Sequence, residues 1–127
     1  MAEKKVLLVD DDEEFVEVTK ILLENNDYTV VTAHSGKEVQ KTTLEEEPDL
    51  VILDVMMETE SAGFEAARLL RSEEATKDIP IIMLTAVNEK YPYGFESNEI
   101  WLPVDKFFEK PVEPDELLLE VKDSLSE

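Results

Sequence analysis

The chain has 127 residues, 43% of them hydrophobic, which suits one folded domain with a real core. It contains no cysteine and one histidine, so disulfides and thiolate metal sites are excluded and a zinc centre is disfavoured. A formal charge of -20 argues against nucleic acid and anionic membranes as partners and reads as a solubilising coat.

Apolar runs and capping residues divide the chain into alternating elements. Val6 to Val9 is a continuous apolar run, as expected of a strand buried on both faces, and it closes on Asp10-Asp11-Asp12. Asp12 is placed as a helix N-cap. Phe15, Val18 and Leu22 then share one face of an amphipathic helix that ends near Asn25-Asn26. Tyr28 to Ala33 is a β-branched strand. Ser35 and Glu38 form a capping-box pattern for a helix running to about Glu46, stopped by Pro48.

Leu50 to Leu53 is again wholly apolar and ends on Asp54. Gly63 precedes a helix with Phe64, Ala67 and Leu70 on one face. Pro80 to Leu84 is a fourth buried strand ending at Thr85, and Val104 to Glu109 is a fifth, poorer in apolar residues and so expected at an edge. Pro114 opens a final helix marked by Leu117, Leu118, Val121 and Leu125. Between Val87 and Pro103 the helical pattern fails, with Pro92 and Gly94 interrupting it. No stretch reaches the length of a membrane span, and the apolar run after Met1–Lys5 is too short for a signal peptide, so a cytoplasmic location is expected.

Apolar strands alternating with helices predict a parallel sheet covered on both faces. Right-handed crossovers place all strand-to-helix loops at one edge, where ligands bind in such sheets. Asp10, Asp11, Asp54, Thr85 and Lys110 all fall at those strand ends. Converging carboxylates repel one another unless they are protonated or metal-bound, and an oxygen-only donor set suits Mg²⁺. In that setting Asp54 is a candidate nucleophile toward phosphorus, Lys110 a positive charge for the product phosphate, and Thr85 a hydroxyl donor. His34 and Trp101 are assigned to surface or packing roles.

These residues resemble a known family over essentially the whole chain. Lys5–Asp12, Pro48–Met57, Ile82–Ala86 and Phe107–Pro111, in this order and spacing, look like the receiver domains of two-component response regulators. The resemblance implies a single doubly wound five-stranded parallel sheet of flavodoxin-like order 2-1-3-4-5, formed by residues 1–127 as one domain. It implies that Asp54 accepts a phosphoryl group from a histidine kinase or phosphotransfer protein, with Lys110 pairing with the phosphate. Asp10, Asp11, Asp54 and the backbone carbonyl of Met56 would hold Mg²⁺, Asp10 mainly through a bound water. Thr85 and Phe107 would be the coupled switch pair, and the output would be a changed surface for an unknown downstream protein. Such a domain is a signalling switch with self-catalysed phosphotransfer and dephosphorylation rather than an enzyme in the usual sense.

The sequence departs from the family pattern in places. Glu58 stands where proline is usual, Gly63 arrives one residue late, and the stretch between Thr85 and Lys110 is longer than typical, so the fourth helix is expected to be short or irregular. Tyr91, Tyr93, Phe95 and Trp101 in that stretch suggest an atypical partner-binding face. Met56 and Val87, two residues beyond Asp54 and Thr85, are apolar and predict slow self-dephosphorylation.

A stand-alone regulator is the first expectation, and the N-terminal receiver of a longer regulator is its near variant. An aspartate-nucleophile phosphatase or phosphotransferase would want a second acid where Met56 stands. A nucleotide- or flavin-binding domain would want a glycine- or hydroxyl-rich loop where the three aspartates stand.

Overall fold

The structure is a computed structural model, and it describes residues 4–54, 62–85, 106–109 and 113–125. In chain order the elements are β1 (Lys5–Val9), α1 (Glu13–Glu24), β2 (Thr29–Ala33), α2 (Gly36–Glu46), β3 (Leu50–Asp54), α3 (Ala62–Ser72), β4 (Ile81–Thr85), β5 (Lys106–Glu109) and α4 (Pro114–Leu125). The strands pair in parallel in the order β2-β1-β3-β4-β5, so β2 and β5 are the sheet's edges. The expectations for residues 55–61, 86–105 and 110–112 lie outside the described residues.

Alternation along each buried strand sorts the core into two layers. Leu7, Val9, Val51, Leu53, Ile81 and Met83 point to one face, where they meet Val39 of α2 and Ala66, Ala67 and Leu70 of α3. Val6, Leu8, Leu50, Ile52, Ile82 and Leu84 point to the other, against Val16 and Leu23 of α1 and Leu117 and Val121 of α4. Successive side chains on a strand face opposite ways, so a strand flanked by helices on both sides has to be apolar at every position. The runs in β1, β3 and β4 meet that demand.

The register of β1 against β3 fixes what stands at their far ends. The Lys5 backbone N–H donates to the Asp49 carboxylate at 2.8 Å, and the Asp49 N–H donates to the Lys5 carbonyl at 2.7 Å. From this clamp each strand runs five residues forward, to Asp10 and to Asp54, with Val9 level with Leu53. Because both strands are apolar on both faces, their pattern alone does not set the register; the reciprocal Lys5–Asp49 bonds tie it and so hold the two aspartates level. Entry to β4 is fastened separately: Arg71 Nη1 donates to the carbonyls of Lys77 and Ile79 at 2.9 and 2.7 Å, and the buried Thr76 hydroxyl donates to Leu70 O at 2.6 Å.

Two local expectations need correction. In α1 the buried residues are Val16, Thr19 and Leu23, while Val18 is 54% exposed. The expected stripe of Phe15, Val18 and Leu22 has the right spacing but is rotated by one residue, about 100° on the helix. Counting only apolar residues passed over Thr19, which is small enough to pack, and Phe15 and Leu22 flank the contact half-buried. At α2 the capping box is incomplete. Ser35 is the N-cap, but its Oγ accepts no backbone N–H of the first turn; its hydroxyl donates to the Glu38 carboxylate at 3.2 Å, and the Glu38 N–H donates to the Ser35 carbonyl at 3.2 Å.

Glu47 closes α2 in the left-handed region at φ 52°, ψ 58°, just behind Glu45 and Glu46 at the negative end of the helix dipole. Both the conformation and the charge are unfavourable there. Glu47→Gly is expected to stabilise the fold by about 1 kcal/mol, read as a higher midpoint in urea with an unchanged slope.

Candidate functional site

At the carboxyl edge of the sheet, β1 delivers Asp10 and Asp11 beside Asp54, the last residue of β3. One carboxylate oxygen from each of the three lies within 4.8 Å of the others. Asp10 is fully buried and Asp54 is 5% exposed, whereas Asp11 faces solvent. The site is therefore a pit: two acids form its floor and one stands at its mouth.

The turn after β1 holds this arrangement. The Asp10 N–H donates to Ala33 O at 3.4 Å, extending the β1–β2 ladder by one step. Asp10 Oδ1 accepts from the Asp12 N–H at 3.0 Å, an Asx turn that fixes the buried carboxylate. Asp12 is the N-cap of α1, and its carboxylate accepts from the Phe15 N–H at 3.2 Å. The capping role expected of Asp12 is thus observed. Its backbone role in orienting Asp10 was not anticipated, although two acids spaced i and i+2 after a strand are the signal for it. The α1 N-terminus, with its partial positive charge, starts beside the acids and offsets part of their repulsion.

The oxygen-only donor set fits a small hard cation. Oxygens bound to one Mg²⁺ at about 2.1 Å stand about 3 Å apart when adjacent and about 4.2 Å apart when opposite. A spread within 4.8 Å closes to that geometry by small side-chain rotations. Neither a thiolate nor a histidine belongs to the cluster, which disfavours softer metals.

The other expected site residues are placed less fully. Thr85 ends β4, and its register partner is Glu109, the residue before Lys110. Phe107 lies in β5 level with Met83. Met56 and Lys110 are outside the described residues. His34 is exposed, as expected of a surface residue.

A parallel α/β sheet with an acidic, metal-competent pit at its carboxyl edge defines the class: the flavodoxin-like architecture of signal receivers. Residues 6–122 match the response regulator receiver domain family, and the chain belongs to it. It is 38% identical over 121 residues to the alkaline phosphatase synthesis transcriptional regulatory protein PhoP of Bacillus subtilis, covering 94% of this chain and 47% of that protein. It is 36% identical over 125 residues to the phosphate regulon transcriptional regulatory protein PhoB of Pseudomonas aeruginosa, covering 96% and 52%. Among solved structures, the chemotaxis response regulator CheY4 of Vibrio cholerae superposes with a TM-score of 0.83 at 28% identity, covering 97% of this chain and 99% of that one. The chain spans about half the length of the curated relatives it matches. Among the described residues no helix is long and apolar enough to cross a membrane.

Proposed function

We propose that residues 1–127 form one receiver domain that takes a phosphoryl group onto Asp54 from a phosphohistidine of a histidine kinase or phosphotransfer protein. The convergence of Asp10, Asp11 and Asp54 in one pit, in a chain of the receiver family, carries this reading.

Asp54 is the acid on the strand end itself, nearly buried and held by the β3 ladder, so its carboxylate oxygen is aimed rather than mobile. That oxygen attacks phosphorus; the new O–P bond forms as the P–N bond to the donor imidazole breaks, and the imidazole nitrogen keeps the bonding pair and takes up a proton. Asp10, Asp11, Asp54 and the Met56 carbonyl would hold Mg²⁺, Asp10 mainly through a bound water. When bound, the ion neutralises charge gathering on the phosphoryl oxygens. Lys110 supplies the balancing ammonium to the product, and Thr85 a hydroxyl donor.

Phosphorylation then favours a second state in which Thr85 and Phe107 rearrange together and alter the surface read by a downstream protein. That surface includes the aromatic stretch with Tyr91, Tyr93, Phe95 and Trp101. The relatives that this chain half-covers are transcriptional regulators, which supports the receiver of a longer regulator as well as a stand-alone switch. The domain works in the cytoplasm.

Incubation with a small phosphodonor, with and without Mg²⁺, followed by intact-mass measurement, tests the reading. One added phosphoryl group is expected with the cation and little or none after chelation; equal labelling in both samples would refute the cation's role. Met56 and Val87 are further expected to shield the acyl phosphate from water, giving a lifetime of many minutes or longer. Decay of the labelled mass within seconds, after donor removal, would contradict that.

A further inference from the structure

Strand β2 is an edge strand, and among the described residues no strand pairs with its outer side. Thr29 N–H donates to Lys4 O and Ala33 O accepts from Asp10 N–H, so these two residues aim their backbone groups at β1. Residues alternate along a strand, so Val30 and Thr32 aim their N–H and C=O groups outward, where no other described strand lies. Edge strands are ordinarily guarded by lysine, proline or a bulge, and the sequence Thr29-Val30-Val31-Thr32-Ala33 carries none of these.

Along the same edge, on the α1 side of the sheet, runs an open groove of about 430 Å³. Val16 and Ile21 give it apolar surface, and Ile21 is 53% exposed. Glu13, Glu17 and Glu24 line it against Lys20 and His34, with Thr32 between. A strand added to β2 would place every second side chain in this groove. An apolar stem with a cationic head fits there, the stem on Val16 and Ile21 and the head among the glutamates.

We propose that β2 and this groove bind an extended, lysine- or arginine-bearing segment of a partner protein by strand addition. A second copy of this chain is disfavoured as the occupant, because each copy carries a formal charge of -20. The groove begins at Glu13, beside the α1 N-terminus near the acids, and runs along α1 to Glu24.

The test uses ¹⁵N-labelled protein and a blocked seven-residue peptide alternating lysine and valine. A second peptide with proline in place of each valine has the same charge but lacks half the backbone donors, and proline's fixed φ of about −65° disfavours the extended strand that a ladder needs. The alternating peptide is expected to shift the Val30 and Thr32 amides and slow their hydrogen exchange, and to bind at least about tenfold more tightly than the proline peptide. The double variant Glu17→Gln/Glu24→Gln, which changes groove acids away from the α1 N-terminus, is expected to weaken binding several-fold while keeping its labelling by a small phosphodonor equal to wild type. Thr32→Pro, which removes one outward donor, is expected to weaken it as well. Equal binding of the two peptides, shifts confined to residues outside β2 and α1, or self-association through β2 without peptide would each overturn the proposal. Wild-type labelling is scored separately, so a failure of phosphorylation leaves the peptide result readable.

Discussion

In metal-free buffer the Asp54→Asn protein is expected to unfold at a higher temperature than wild type while accepting no phosphoryl group. The two effects have one cause. Three carboxylates with oxygens inside 4.8 Å, two of them buried, are held together by the β1–β3 register. At an effective dielectric near 20, two full charges at that separation repel by about 3–4 kcal/mol, part of which the α1 N-terminus and the Asp12 N–H offset. Replacing one charge by an isosteric amide is therefore expected to gain about 1–2 kcal/mol, or roughly 4–8 °C in Tm for a domain of this size. The same change removes the oxygen nucleophile, and intact mass after phosphodonor treatment should show no labelled species. A variant less stable than wild type would mean that the Asp54 carboxylate is a structural anchor and not a strained functional group.

Mg²⁺ is expected to reverse that order. A ligand that binds only the folded form stabilises it by about 2.7 kcal/mol at one hundred times its dissociation constant. For this domain that is a rise of about 10 °C in Tm. Asp11 gives the cleanest control, because it is the exposed member of the three acids. Asp11→Ala is expected to leave the metal-free protein folded, at least as stable as wild type, and to abolish most of the Mg²⁺-dependent rise. Differential scanning fluorimetry with Mg²⁺ and with a chelator reads both. NaCl at matched ionic strength separates site binding from general screening of the -20 charge. A rise of the same size in Asp11→Ala would place the cation elsewhere on the acidic surface.

The parts of this molecule legible in its sequence are those where one residue type has one physical solution. Leu50 to Leu53 could only be a strand covered on both faces, and the aspartate that ends it could only lie at the sheet's edge. The clustering of Asp10, Asp11 and Asp54 followed from two neighbouring strand ends, those of β1 and β3, meeting under a handedness rule. Helix phase was harder to read. In α1, Phe15, Val16, Val18, Ile21, Leu22 and Leu23 surround most of the helix, so spacing allowed two stripes one residue apart, and the choice went to the one that Thr19 does not share. Packing selected the other. The Ser35–Glu38 pair shows a second limit: sequence identifies capping partners, not whether the hydroxyl oxygen accepts from a helix N–H or its proton is donated to the carboxylate alone. The groove beside β2 was beyond reach for another reason, since it joins residues of α1 to residues of β2 across the sheet.

The most direct measurement concerns the bond itself. An acyl phosphate on aspartate is reduced by borohydride to homoserine, whereas phosphoesters and phosphohistidine give no such product. After treatment with a small phosphodonor and Mg²⁺, borohydride reduction and peptide mapping should place homoserine at position 54 and at no other aspartate. Homoserine at position 10 or 11, or its absence from a protein whose intact mass shows a phosphoryl group, would contradict Asp54 as the acceptor.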